Sequence, residues 1–139
     1  MAKTMEVKTT NGMVALPLEA ERVKTTLLWQ NGNADNVGFD DQLVTLSENA
    51  TNFKYLIIVY SNARKAGQLL NARKYTNIIN GNISNINFVD DDGTMWCRNF
   101  DITNSGTKIH FYTCLDRGAT VANSPNRCIP YEIYGANSL

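Results

Sequence analysis

Several features are scarce in this sequence, and each scarcity excludes a class of protein. No apolar run reaches the roughly 18 residues of a transmembrane helix, and the opening MAKTMEVKTT lacks the apolar core of a signal peptide. The 13 basic residues are balanced by 13 acidic ones, so the chain lacks the cationic surplus of nucleic-acid or polybasic membrane contacts. We therefore expect no nucleic-acid partner and no membrane insertion.

Residues that usually carry metal or nucleophilic chemistry are also few. Cys97, Cys114 and Cys128 are odd in number and form no CxxC pair, so we expect reduced thiols that behave as small buried hydrophobes. The single histidine, His110, leaves little for a zinc site, and no serine lies in a GxSxG setting. The sequence predicts no metal, no cofactor and no catalytic residue, and therefore no enzyme.

Asn and Thr are the commonest residues and Ile is frequent, whereas the strong helix formers Glu and Lys are few. Asn favours turns, and β-branched and aromatic residues favour strands. About ten short strands can be read along the chain, with turn signals at the spacing typical of a sandwich or jelly roll. We predict one all-β domain over residues 1–139, an antiparallel β-sandwich or jelly roll, with an N-terminal hairpin in 1–23 and the sandwich core in 24–135.

Four segments give sharper local predictions. Asn11-Gly12 predicts a hairpin turn between two short strands. The unbroken apolar run YLIIVY (55–60) predicts a strand that is buried on both faces. DDDG (90–93) departs from the EF-hand spacing and predicts a hairpin tip with a type I′ turn. CIPYEIYG (128–135) predicts a closing strand in the middle of a sheet, with one face made by Ile129, Tyr131 and Ile133.

A saccharide site is the binding chemistry that the residues favour most. Aromatic faces pack on the C–H surface of a sugar, while Asp, Asn and Arg bind its hydroxyl groups. Strand alternation in TMWCRNF places Trp96 and Arg98 on one face, within reach of each other. The alternative for Trp96 is the sandwich core, where a tryptophan is more often found. The candidate ligand-binding residues are Trp96, Arg98, Tyr112, Asp116 and Arg117.

Two basic pairs, Arg64-Lys65 and Arg73-Lys74, flank a further candidate hairpin. They could collect an anionic polymer, or they could protect a solvated hairpin edge by their charge. A cell-wall hydrolase would instead need two carboxylates about 5–9 Å apart in a cleft. Asp101 with Asp116 or Glu132 are the only candidates for such a pair, and no spacing argument joins them.

Two stretches together resemble a family of small β domains in bacteriophage tails. The first is LLWQNGNADNVGFDDQLVTL (27–46) running into FKYLIIVYS (53–61), in which Leu-Trp precedes an Asn-rich loop and an alternating strand. The second is the closing CIPYEIYG (128–135). The chain is similar over about residues 24–135 to phage or prophage minor structural proteins of the tail tip, baseplate or tail fibre.

The resemblance implies an antiparallel β-sandwich, assembled as a homo-oligomer with a trimer favoured, on the part of the virion that meets the host. It implies a non-enzymatic structural protein, made in the host cytoplasm, which contacts other tail or baseplate proteins and contributes to recognition of cell-envelope saccharides. No binding residue is carried over from the family. The segment MEVKTTNGMVALPL stands where related proteins have a shaft, so we expect it to dock onto a neighbouring tail protein or protomer. The alternative is a free-standing carbohydrate-binding module or lectin.

Overall fold

A computed structural model describes residues 4–9, 12–17, 24–32, 39–61, 70–90, 92–116 and 127–138. Over these ranges the chain forms strands joined by turns and by two one-turn 3₁₀ helices, Ala50–Asn52 and Asn104–Gly106. No helix in the described ranges is long and apolar enough to cross a membrane. The strands are β1 Thr4–Thr9, β2 Gly12–Pro17, β3 Thr25–Gln30, β4 Gln42–Thr45, β5 Tyr55–Ser61, β6 Leu70–Tyr75, β7 Ile83–Val89, β8 Met95–Thr103, β9 Lys108–Phe111, β10 Leu115–Asp116 and β11 Ile129–Ala136.

Two antiparallel sheets pack face to face, which confirms the predicted all-β sandwich. The smaller sheet has the strand order β3-β11-β5-β6. In the larger sheet β8 pairs with β7 along one edge and with β9 and β10 along the other, and β4 lies outside β9. Strands β1 and β2 form a separate two-stranded sheet, as predicted for the N-terminal hairpin. The core between the two packed sheets includes Leu28, Val44, Leu56, Ile58, Ile86, Phe100, Ile102, Ile109, Phe111 and Ile133.

Hydrophobic alternation sets which face of each strand is buried. In β4, Val44 is buried while its neighbour Leu43 is 48% exposed, as the period of two predicts. The run YLIIVY was predicted to be buried on both faces, and this is wrong. Only the face carrying Leu56, Ile58 and Tyr60 is buried, whereas the opposite face is half-buried. An unbroken apolar run shows that both faces are apolar but not that both are covered.

The DDDG tip differs from the predicted type I′ turn. Val89 pairs with Met95, and the Asp90 N–H donates to the Thr94 carbonyl at 2.8 Å. Three residues, 91–93, therefore lie in the loop, one more than a type I′ turn holds. Gly93 has a φ of 87°, the left-handed conformation that the last position of a three-residue hairpin loop requires.

Strand β11 lies between β3 and β5, so the prediction of a central closing strand is confirmed. The predicted common face of Ile129, Tyr131 and Ile133 is wrong, because a β-bulge interrupts the pairing with β5. Pro130 pairs with Tyr60 and Glu132 with Val59, which leaves Tyr131 as the extra residue. A bulge reverses the alternation and tolerates a proline inside a central strand.

Candidate functional site

Arg98 is fully buried rather than exposed, which corrects its predicted place beside Trp96 at a binding surface. It is 0% exposed, and its guanidinium carbon lies 5.1 Å from the centre of the Phe39 ring. Nε donates to the Cys128 carbonyl at 2.9 Å, and Nη1 donates to the Tyr112 carbonyl at 2.6 Å. Nη2 donates to the carbonyl of Arg127 at 2.9 Å. With these donors committed to the backbone, Arg98 joins β8 to the segments before β11 and after β9.

Trp96 lies at one end of the sandwich, half-buried against the core. Its Nε1 donates to the Asp90 carboxylate at 2.7 Å, and the guanidinium carbon of Arg127 lies 5.4 Å from its ring centre. Asp116 is half-buried in β10 and is the register partner of Trp96. Arg127 rather than Arg98 is therefore the cation on this tryptophan. Arg117 lies outside the described residues.

Tyr112 lies on the outer face of the larger sheet, directly after β9. Its ring centre is 4.1 Å from that of His110 and the two planes are inclined by 41°, so the two rings pack against each other. Its backbone N–H donates to the Asn99 carbonyl at 3.0 Å, which fixes the chain beside β8. Together, the two rings form an aromatic patch on a partly exposed surface.

Two carboxylates converge on His110, and the sequence did not predict this. Nε2 lies 2.7 Å from Asp41 Oδ1, and Nδ1 lies 3.7 Å from Asp101 Oδ1. Asp101 is the cross-strand partner of His110, whereas Asp41 reaches it because β4 pairs with β9. The available signal was Asp40-Asp41 directly before an alternating strand, but only the strand pairing brings it to His110.

The electrostatics of this surface are set by its carboxylates. Hydrogen bonds donated by the Thr113 hydroxyl at 2.7 Å and the Asp41 N–H at 2.8 Å hold the pKa of Asp40 below its usual value. Desolvation, followed by the negative charges of Asp101 and Asp41, raises the pKa of Tyr112. Asp101 Oδ1 is buried, and in the described structure no donor lies within hydrogen-bonding distance of it.

We call the surface formed by Asp41, Asp101, His110 and Tyr112 the Tyr112 face. Its carboxylate oxygens can accept hydrogen bonds from hydroxyl groups, and its aromatic rings can pack against the apolar surface of a ligand ring. No group of three or more His, Cys, Asp or Glu in the described ranges could hold a metal ion. The three cysteines are buried and form no disulfide, as predicted. The Tyr112 face therefore combines carboxylate oxygens with aromatic ring surface.

The carboxylate pairs considered for a hydrolase do not come together. Asp116 pairs with Trp96, about 17 Å along β8 from Asp101 at the usual rise per residue. Trp96 and Asp101 also point to opposite faces of β8, because an odd number of positions separates them. Glu132 belongs to the other sheet. Neither pair has the separation of a glycosidase site.

A β-sandwich with a polar surface does not by itself define a function. No known protein-family model matches the chain. No curated protein matches it in sequence either. Its function is therefore inferred from the surface chemistry and from the short motifs in residues 27–61 and 128–135.

Proposed function

We propose that this protein is a non-enzymatic structural protein of a bacteriophage tail or baseplate that contributes to recognition of saccharides on the host cell envelope. The tail assignment is supported by the motifs in residues 27–61 and 128–135 and by the sandwich fold. The observation that carries the recognition role is the Tyr112 face, where aromatic rings and carboxylates lie side by side on an accessible sheet surface.

The geometry of the Tyr112 face suits a neutral sugar. The Tyr112 ring, which packs against His110 with ring centres 4.1 Å apart, can offer its remaining exposed surface to the C–H face of a pyranose. The Asp41 side chain is 52% exposed and can accept hydrogen bonds from hydroxyl groups, as can Asp101 beside it. Thr113 and Asp40 brace the strand ends through a 2.7 Å hydrogen bond, so little ordering is needed on binding.

The smaller sheet supplies a surface for homo-oligomerisation. Register places Leu27, Tyr134 and Ile57 in one row across β3, β11 and β5 on the outer face of this sheet. Leu27 is exposed, while Ile57 and Tyr134 are half-buried. This apolar row is the surface that we propose for contact between protomers. A trimer packed through this face, with the hairpin of residues 1–23 docked on a neighbouring tail protein, would place the protein in the virion.

A glycan array probed with the purified protein tests the recognition role. Binding to neutral bacterial envelope glycans is expected, and Tyr112→Ala should weaken it about tenfold or more, because about 1.4 kcal/mol of stacking corresponds to that factor. Thr45→Ala, at an exposed position of the same sheet, serves as the matched control and should bind like the wild type. A blank array, or unchanged binding by Tyr112→Ala, would contradict the proposal.

A free-standing carbohydrate-binding module is the second candidate, since the same Tyr112 face would serve it. Oligomeric state separates the two roles, because a tail assembly requires the outer face of the smaller sheet to be covered. Light scattering at high protein concentration should therefore give a homo-oligomer. A strict monomer that still binds glycans would favour the free-standing module over the tail protein.

A further inference from the structure

A cleft opens between the two sheets, at the edge formed by β6. Its volume is about 220 Å³, and its floor consists of the buried side chains of Leu56, Phe100 and Ile102. Tyr75 forms one wall, edge-on to Phe100 with ring centres 5.0 Å apart. The Tyr75 hydroxyl donates to the Asn85 carbonyl at 2.6 Å, which fixes the ring in place. The cleft is therefore preformed, with an apolar floor and an aromatic wall.

A second, more open depression of about 510 Å³ lies beside the cleft, and residues 76–78 line both. This depression is lined by Phe53, Tyr55 and Ile79, of which Ile79 is 60% exposed. Because both depressions share residues 76–78, they form one surface feature, which we call the basic groove.

Three cations line the basic groove, and no acidic residue is found among its described lining residues. The guanidinium carbon of Arg73 lies 5.7 Å from the Tyr75 ring centre, and Lys74 Nζ lies 5.1 Å from that of Tyr55. Lys54 is the third cation. In the described parts of the chain, the ion pairs involve only His110 and Arg127 as cations. The charges of the basic groove are therefore available to an anionic ligand.

Hydrogen bonds hold the wall of the groove in place. The Asn82 side-chain amide donates to the Asn77 carbonyl at 2.8 Å, and the Asn82 N–H donates to the Ile79 carbonyl at 3.0 Å. The Gly81 N–H donates to the Ile102 carbonyl at 2.6 Å, which ties the segment to β8. A wall that is already ordered loses little entropy when a ligand binds.

We infer that the basic groove binds an acidic glycan, with one pyranose ring that carries a carboxylate or phosphate seated in the cleft. The cleft is smaller than the 300–1,000 Å³ that is usual for a pocket that binds a drug-sized ligand. Its volume therefore suits a ligand with a single ring. The apolar floor and Tyr75 face the C–H surface of the ring, and Asn77 and Ser84 line the rim where hydroxyl groups would lie. Arg73 can bind the anionic group through two parallel hydrogen bonds.

The next sugar units would extend over residues 76–78 toward Tyr55, where Lys74 and Lys54 meet further anionic groups. A glycan fits better than a nucleic acid, because the 13 basic residues of the sequence are balanced by 13 acidic ones, for a formal charge of +0. The inference does not depend on the Tyr112 face, which lies on a different surface and carries carboxylates instead of cations.

Isothermal titration of the purified protein with defined oligomers tests the inference. The probes are an oligouronate, a polyol-phosphate oligomer, a neutral oligoglucan and a single-stranded oligodeoxynucleotide, all of matched length. We expect binding of the oligouronate or of the polyol phosphate, weakening with ionic strength, and these two probes separate the carboxylate from the phosphate. Equal or tighter binding of the neutral oligoglucan or the oligodeoxynucleotide would overturn the inference, as would the binding of neither acidic oligomer.

Substitutions at the groove separate a built site from general charge attraction. Arg73→Gln should weaken binding of the acidic oligomer about tenfold or more, and Lys74→Gln should weaken it less. Lys24→Gln removes one exposed cation elsewhere and should leave the affinity unchanged. Because Arg73 and Lys74 are exposed, thermal unfolding can verify that each variant folds, and a folded Arg73→Gln that binds like the wild type would refute the inference.

Discussion

Arg98 is the largest fully buried side chain of the described residues, and its cation is solvated by backbone carbonyls. Desolvation lowers its pKa, yet a guanidinium stays charged in proteins, so the charge must be met by acceptors. Two of these acceptors belong to residues 127 and 128, directly before β11. Arg98 thus fixes the entry of the closing strand into its sheet.

Replacing Arg98 by lysine should destabilise the fold by about 2 kcal/mol or more, because a single ammonium cannot reach three carbonyls and leaves some of them unpaired. Urea unfolding measures the loss. Arg73→Lys is the matched control at an exposed site and should shift the unfolding free energy by less than about 0.5 kcal/mol. Equal stability of the two variants would show that the backbone contacts of Arg98 contribute little.

Asp40 provides a residue-scale test of pH dependence. Its lowered pKa, caused first by the Thr113 hydroxyl, means that its contribution to stability is present above the unfolded pKa and is lost as the pH falls through the folded value. Thr113→Val should therefore raise the pKa of Asp40. A carboxyl-detected NMR titration checks this, and an unchanged Asp40 pKa in the variant would show that the hydroxyl is not the cause.

Single residues differ in how far the sequence reveals their place. His110 and Tyr112 are two positions apart, so strand alternation alone is enough to place them on one face. The burial of Arg98 was not predicted, because no local pattern distinguishes an inward arginine that meets backbone carbonyls from an outward one that meets solvent. Asp41 was also missed, since its contact with His110 spans 69 residues and exists only once β4 pairs with β9.

At the scale of the elements, the packing of β11 explains why the closing motif contains a glycine, Gly135. A Cβ at Gly135 would lie 2.5 Å from the Phe53 ring, so the ring packs directly against the backbone. Gly135→Ala should cost about 1–3 kcal/mol through this overlap. Gly32→Ala is the control, because a Cβ there would meet nothing within 4 Å. Thermal unfolding compares them, and a Gly135→Ala variant as stable as the control would mean that Phe53 moves aside freely.

The central position of β11 predicts that truncation is not tolerated. Ending the chain before Ile129 removes the partner of both β3 and β5 and leaves two unpaired edges in the smaller sheet. We expect the truncated protein to be unfolded or insoluble, as circular dichroism and heat-unfolding scans would reveal. Soluble expression with a cooperative thermal transition would contradict this expectation.

The strands themselves were largely predictable, and the irregularities were not. Strands β4 and β9 follow the alternation that the sequence shows, because each buries one face. The bulge at Tyr131 and the three-residue loop at 91–93 depend on how the partner strand is aligned. Register belongs to the pair of strands, so a single strand sequence does not contain it.

At the scale of the whole molecule, two tyrosines join the sheets. Tyr60 in β5 donates to the Asn87 carbonyl at 2.8 Å, and Tyr75 in β6 donates to the Asn85 carbonyl at 2.6 Å, both in β7. Burial raises the pKa of both phenols. The two phenols stabilise the fold fully below the pKa of about 10 that tyrosine has in the unfolded chain. This stabilisation is lost as the pH rises through their pKa values in the folded protein.

Unfolding at alkaline pH tests how much the hydrogen bonds of these two tyrosines stabilise the fold. Stability should fall once the pH exceeds about 10, because the unfolded tyrosines ionise before the folded ones. The double variant Tyr60→Phe and Tyr75→Phe should show a weaker fall over the same range. Denaturant midpoints measured across pH, with phenolate absorbance followed in parallel, provide the comparison. An identical pH dependence in wild type and variant would assign the alkaline loss to other groups.

The formal charge of +0 conceals two surfaces of opposite sign. The Tyr112 face on the larger sheet carries Asp41 and Asp101, whereas the basic groove beside β6 carries Arg73, Lys74 and Lys54. Such separation allows one small domain to contact a neutral sugar on one side and an acidic one on the other. Neither surface is apparent from the composition, because the net charge of the chain does not show where its charged residues lie.

The most direct test of saccharide recognition is an NMR titration of the labelled protein with a neutral envelope oligosaccharide identified on the array. We predict that amide shifts cluster at Asp41, Asp101, His110 and Tyr112 and saturate with a single affinity. Tyr112→Ala should abolish the shifts while the rest of the spectrum stays folded. Shifts that cluster on another surface, or a spectrum that does not respond to saturating oligosaccharide, would contradict the proposed role of the Tyr112 face.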